Sequence, residues 1–360
     1  MKKYKYVPGK PGVTLFQAVY DLDNLRLAHK NASKNKRWYK EVEMVNKDPD
    51  KYLKRIRFML RSQTYHNSKY EIFERQEHDK VRTIYKLPYY PDRIIQWALL
   101  QVIAPILENT FIKDTYSAIP GRGPIQCMLN VANAIHNDPE GTMYCLKIDI
   151  HHFYQSINHD ILKEKYLNLF KDYELLWLIY EIIDSVSECE GIPIGNYTSQ
   201  YSGNLYLSEF DHWIKEVKHI KYYYRYMDDM VFLADDKDTL HDLLNDIIQR
   251  LNTKEKLSIK DNYQIFITNE RGLDYVGYVI FSDFILIRNR MRDSFIGLCK
   301  ALIKKDELSD HDISSLFSYI GFLQHSDSYN LQMKYYQPIK IKFNLPNVIK
   351  TITSQNTNKS

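Results

Sequence analysis

The chain lacks the marks of several large protein classes. Its four cysteines, Cys127, Cys145, Cys189 and Cys299, stand far apart, which rules out a disulfide framework and a cysteine metal site of ordinary spacing. They read as reduced, buried thiols. No apolar run is long enough to span a bilayer, and no signal-peptide pattern opens the N-terminus. The expectation is a cytoplasmic protein with no membrane partner. Asn31-Ala32-Ser33 and Asn196-Tyr197-Thr198 match the glycosylation pattern but carry no meaning in that compartment. There is no internal repeat, so solenoid and propeller architectures are out.

Apolar residues make up 44% and charged residues 26% of the 360, which is the balance of a globular protein with two or three packed subdomains. Thirty tyrosines supply faces that stack on bases or fill a core. The net charge of +4 hides a division. Residues 1–60 carry an excess of nine positive charges and residues 61–140 balance. Residues 141–285 carry an excess of ten negative charges, and residues 286–360 an excess of five positive ones. Basic ends suit a phosphate backbone, or simply a solvated surface.

The chemistry centres on Tyr226-Met227-Asp228-Asp229, flanked by strand-forming runs on both sides. The Asp228-Asp229 pair reads as the tight turn of a hairpin. Two adjacent carboxylates repel one another, and no basic residue follows closely enough to neutralise both; a divalent cation would. Taken alone, a solvated Asp-Asp turn explains the motif equally well, so a third carboxylate on a strand end is the test. Met143 to Ile150 supplies it, a β-like run in which Asp149 closes the strand.

This pair of motifs resembles the reverse transcriptase family. The strand ending at Asp149 looks like its first palm motif and Tyr226 to Asp229 like its second metal-binding motif. The resemblance implies an α+β, right-hand polymerase fold. Its expected divisions are a basic helical segment (1–60), fingers (61–140), palm (141–285), a small helical thumb (286–345) and a disordered tail (346–360). It implies two magnesium ions, with manganese as the other candidate, held by Asp149, the Ile150 carbonyl and Asp228, with Asp229 assisting.

Other positions follow from the same resemblance. Asp23 to Leu60 reads as helical with a break near Asp48-Pro49, and its recurring lysines and arginines face either a template or solvent. Lys80 to Tyr85 reads as a strand, where Arg82 occupies the triphosphate-gripping position and Lys80 is a second candidate. Ile94 to Ile103 reads as a core helix after Pro91-Asp92-Arg93. Ser117 to Pro124, with Gly121-Arg122-Gly123, matches a fingers loop near template. Tyr154 takes the steric-gate place, where a bulky ring clashes with a ribose 2′-hydroxyl, or else it is a core aromatic. His151 and His152 read as surface or packing residues.

Ile194-Gly195 opens the pattern Ile-Gly-x-x-x-Ser-Gln ending at Gln200. Most reverse transcriptases have glutamine where Ile194 stands, and the isoleucine form resembles the diversity-generating retroelement branch. That branch implies cDNA copied from a template repeat RNA with errors at adenines, and a small basic accessory oligomer as partner. Lys260 is the candidate for the palm lysine that protonates pyrophosphate, although the family usually places it a few residues later. Tyr275-Val276-Gly277-Tyr278 resembles the primer grip. Three helical stretches from Arg288 onward suggest the thumb, and no further catalytic extension fits after them. The implied ligands are template RNA, an RNA–DNA duplex and dNTPs. The alternatives are a defence enzyme of the retron or abortive-infection kind, although the retron thumb tripeptide Val-Thr-Gly is absent, and a non-catalytic RNA-binding scaffold.

Overall fold

A computed structural model describes residues 12–345 apart from 37, 78, 79 and 188, with the side chains of Glu77, Lys80 and Arg82 also outside the description. The tail expected at 346–360 lies outside the described residues. The chain divides into two units built from separated stretches. The first holds 1–120, 149–219 and 245–261; the second holds 121–148, 220–244 and 262–360. Helices and strands are mixed, the α+β class read from the sequence.

The first unit opens with α1 (Leu15–Val19), α2 (Leu22–Ala32), α3 (Lys40–Lys47) and α4 (Pro49–Arg61). The break before α4 falls where the sequence put it. Asp48 accepts the Lys51 N–H at 3.1 Å, and Pro49 takes the first turn, where a missing N–H costs nothing. A second break, between Ala32 and Lys40, interrupts what reads as one helix. Asn35 has φ +60° there, a conformation that no helix continues through.

Strands β1 (Glu71–Glu77) and β2 (Lys80–Lys86) pair as an antiparallel hairpin, with Arg75 opposite Arg82. Helix α5 (Ile94–Glu108) is apolar nearly all round and buries Ile94, Ile95, Leu99 and Ile103, as a core helix should. It packs against α2 and against α9 (Tyr197–Tyr206). Helix α7 (His159–Leu169) packs against α9 and against α8 (Tyr173–Ile183), and α10 (Ser208–His212) also meets α9.

The second unit begins with α6 (Pro124–Asn137). Its sheet has the order β4-β5-β3-β6, formed by β3 (Tyr144–Asp149), β4 (Tyr222–Tyr226), β5 (Asp229–Ala234) and β6 (Gln264–Ile267). β3 runs to Asp149, the residue at which the chain passes to the first unit. Tyr223 and Phe232 face each other across β4 and β5 and stack at 4.7 Å, filling one side of the sheet. Helix α11 (Lys237–Arg250) follows β5, its residues from Asn245 onward counting with the first unit, and a single turn, α12 (Thr268–Arg271), follows β6. A three-stranded meander, β7 (Leu273–Tyr275), β8 (Tyr278–Ile280) and β9 (Ile285–Ile287), leads to α13 (Asn289–Leu302) and α14 (Asp310–Leu323). Two short helices, α15 (Tyr329–Leu331) and α16 (Gln337–Lys342), end the described chain. Among the described residues no helix is long and apolar enough to cross a membrane.

Candidate active site

The acidic hairpin belongs to the second unit, and its register corrects the sequence reading. Tyr226 pairs with Asp229, so the two-residue turn is Met227-Asp228 and Asp229 is already the first residue of β5. Met227 takes φ +59°, the sign that tight hairpin turns require. A polar pair signals a turn by composition, but here the decisive contact comes from inside. The fully buried Arg225 donates from Nη1 to the Met227 carbonyl at 3.0 Å, and the Met227 side chain packs inward.

Lys147, on β3, places Nζ 3.5 Å from Asp229 Oδ2. The same ammonium donates to the Asp274 carbonyl at 2.6 Å and stands 5.7 Å over the Tyr275 ring. Sequence reasoning missed Lys147. The signal was there, since period-two alternation places Lys147 and Asp149 on one face of β3.

Tyr275 also reaches the hairpin. Its hydroxyl lies 3.1 Å from the Asp229 carbonyl and 3.3 Å from that of Tyr224. Burial drives its phenol pKa well above the ordinary value, so it stays a neutral donor. The turn that follows, Val276-Gly277, has φ of +44° and +95°, and Tyr275 pairs with Tyr278 across it. Tyr275 to Tyr278 therefore form one tight turn. Through Tyr275 that turn is bonded to the strand bearing Asp229.

In the first unit, Asp149 is fixed by an antiparallel bridge between Ile150 and Ile259. Lys260 N–H donates to the Asp149 carbonyl and His151 N–H to that of Ser258, both at 2.8 Å. The bridge uses the neighbours' groups and leaves the Ile150 carbonyl out of it. Lys260 Nζ lies 2.6 Å from Asp149 Oδ2. Asp149 Oδ1 is buried and has no hydrogen-bond partner among the described residues. A buried carboxylate oxygen without a donor is unfavourable unless a cation arrives, so this oxygen fits a metal ligand. No group of three or more His, Cys, Asp or Glu side chains gathers at metal-binding spacing among the described residues. Magnesium takes few protein ligands and keeps places for phosphates and water, and the donors present suit that habit. His151 and His152 are exposed and pack on each other at 4.1 Å, as surface residues.

Tyr154 lies on a single 3₁₀ turn, Phe153–Gln155, and its carbonyl accepts the Ile192 N–H at 2.8 Å. Further along, the Ile194 carbonyl accepts the Tyr85 N–H of β2 at 3.1 Å. Gly195 has φ +118°, and a Cβ there would come within 2.9 Å of the Tyr85 carbonyl oxygen. Only glycine allows this docking. Gly195→Ala is expected to lower folding stability by about 1–3 kcal/mol, read as a lower denaturation midpoint in urea. An unchanged midpoint would contradict the strained docking.

Lys80 and Arg82 have their backbones in β2, but their side chains lie outside the described residues. Against the other end of β2, a cavity of about 320 Å³ in the first unit is lined by Lys36, Arg75, Lys86 and Arg93, with Trp97 and Tyr197 as aromatic walls. Burial, then the Arg93 charge, lowers the Lys36 pKa. Cations gathered around a polar cavity suit a phosphorylated ligand. Lys36 and Arg93 were visible in the sequence only as members of a long basic stretch and a helix start.

Comparison with known proteins gives these residues a context. The family model described as reverse transcriptase (RNA-dependent DNA polymerase) matches residues 73–280. Protein YkfC of Escherichia coli (strain K12) is 24% identical over 139 residues, 36% of this chain and 36% of that protein. The match thus spans about a third of that curated relative. Among solved structures, apo telomerase from Candida tropicalis aligns with a TM-score of 0.51 at 12% identity, over 78% of this chain and 60% of that one. That likeness concerns the fold.

Proposed function

This chain belongs to the reverse transcriptase family and has its right-hand polymerase fold, and from that premise we propose that it is an RNA-directed DNA polymerase. One observation carries the reading: β3, which ends in Asp149, and β5, which begins with Asp229 behind the Met227-Asp228 turn, are neighbours in one sheet. In the proposed reaction a primer 3′-hydroxyl oxygen attacks the α-phosphorus of a dNTP. A new P–O bond forms, the α–β phosphoanhydride bond breaks, and pyrophosphate leaves with the electron pair.

Asp149, the Ile150 carbonyl and Asp228 would hold two magnesium ions, with Asp229 assisting. Such ions, when bound, make the hydroxyl a better nucleophile and offset charge on the phosphates. The chain's own groups do the rest. Lys260, already beside Asp149, donates a proton towards the leaving pyrophosphate. Arg82 and Lys80, with the basic cavity beside β2, hold phosphates. The Tyr275 to Tyr278 turn holds the primer end, and its bond to the Asp229 carbonyl fixes that end relative to the hairpin. Tyr154 excludes the ribose 2′-hydroxyl, so Tyr154→Ala is expected to raise ribonucleotide use by roughly 10- to 100-fold. Unchanged discrimination in single-nucleotide incorporation would remove Tyr154 from this role.

Within the family, Ile194 supports the diversity-generating reading. Its side chain is half-buried and cannot donate the hydrogen bond that an amide would. Losing that contact narrows the gap between right and wrong base pairs. Template repeat RNA and a small basic accessory oligomer are the partners this reading implies. Sequencing the cDNA tests it. Errors concentrated opposite template adenines, reduced about tenfold by Ile194→Gln, are expected. Accurate product from the unaltered chain would favour the defence reading instead.

A further inference from the structure

We infer that His159 is a positioning residue that locks the sugar-sensing Tyr154 and the base-sensing Ile194-Gly195 turn into one rigid piece. The inference rests on the polymerase reading above. His159 is the first residue of α7, a histidine with its side chain almost wholly buried. Its Nδ1 lies 2.9 Å from Asp184 Oδ1 and its Nε2 lies 2.9 Å from the Gly191 carbonyl oxygen. A carbonyl only accepts, so Nε2 is the donor to Gly191, and Nδ1 faces the Asp184 carboxylate. Asp184 is held in turn by Lys163, whose Nζ lies 2.7 Å from Oδ2.

The lock closes a ladder between two segments. Asn158 and Glu190 form an antiparallel bridge. His159 N–H donates to the Cys189 carbonyl at 3.0 Å, Gly191 N–H to Ile157 at 2.8 Å, and Ile192 N–H to Tyr154 at 2.8 Å. Gly191 has φ +87°, and a Cβ there would come within 3.2 Å of the Gln155 carbonyl oxygen, so the two backbones meet closely. Two residues beyond Ile192, Ile194 docks on Tyr85. The residue that senses the sugar therefore lies in a short ladder that ends two residues before the one that senses the base pair. The ladder's backbone bonds are local and individually modest. The bond from the buried ring to Gly191 ties them to α7 from outside the ladder.

A steric gate selects only if the ring stays at a fixed height beneath the sugar, and a displacement of about 1 Å is enough to degrade selection. Loosening the ladder should therefore blur sugar and base selection together. Removing a residue that only stabilises the fold would instead lower activity for every nucleotide alike.

The test uses the full chain and two variants, His159→Gln and Asp184→Asn. The second keeps the ring and removes the charge behind it, at a half-exposed position that tolerates change should the first fail to fold. Two readouts are expected to move. Amide hydrogen exchange at Gly191 and Ile192 should quicken about tenfold, and deoxy- over ribonucleotide discrimination should fall about tenfold, with dNTP KM rising more than kcat falls. Unchanged exchange at those amides overturns the lock. Quickened exchange with unchanged discrimination overturns its role in selection. No incorporation by the unaltered chain defeats the polymerase reading and this inference with it, an outcome distinct from the other two.

Discussion

Asp149→Ala is expected to slow nucleotide addition by on the order of a thousandfold or more while leaving RNA binding in place. The carboxylate stands at the end of β3 with one oxygen on Lys260 and the other buried without a partner among the described residues. A group selected for stability would have both oxygens satisfied. Losing it should therefore not weaken the fold, because the variant removes an unfavourable buried oxygen along with one partly exposed ion pair. The expected pattern is lost synthesis with an unchanged or higher denaturation midpoint. Asp149→Asn should lose as much activity, since it keeps the shape and removes the charge. Asp228→Ala, on the turn, should do the same without touching Lys260. Synthesis within tenfold of the unaltered chain in any of these would remove the carboxylates from the reaction.

Lys260→Met should lower kcat by about a hundredfold with dNTP KM changed by no more than about threefold. Two roles are open to this ammonium. It can act as a fixed charge beside Asp149, or it can deliver a proton to the departing pyrophosphate. Lys260→Arg separates them, because guanidinium keeps the charge but does not give up its proton. The account expects Lys260→Arg to stay close to Lys260→Met in kcat. Recovery to near the original rate would assign Lys260 a charge-only role. A methionine variant with nearly full activity would exclude the residue altogether.

Both expectations depend on what the sequence made legible. Strand alternation and the apolar flanks marked β3 and the hairpin, so Asp149, Asp228 and Asp229 could be named from patterns only a few residues long. The turn position could not, because Met227 is held by a buried arginine two residues away in sequence and on the inside of the sheet. Lys260 looked displaced along the chain. The bridge between Ile150 and Ile259 brings it to Asp149, a pairing more than a hundred residues apart that no local pattern reports. The bond from Tyr275 to the hairpin and the contact of Lys147 with Asp229 are long-range in the same way. Between Ala32 and Lys40 the charged residues conceal a helix break, since lysine and asparagine are tolerated in a helix and outside one alike. Nothing local in the sequence shows that the His159 ring is buried between Asp184 and Gly191.

The measurement that bears most directly on the account is extension of a DNA primer on a defined RNA template by the purified chain, with four dNTPs and magnesium, and with EDTA added in parallel. The account predicts DNA complementary to the RNA, formed with magnesium and absent with EDTA. RNA bound tightly, with no DNA made under either condition even when candidate accessory protein is supplied, would contradict it.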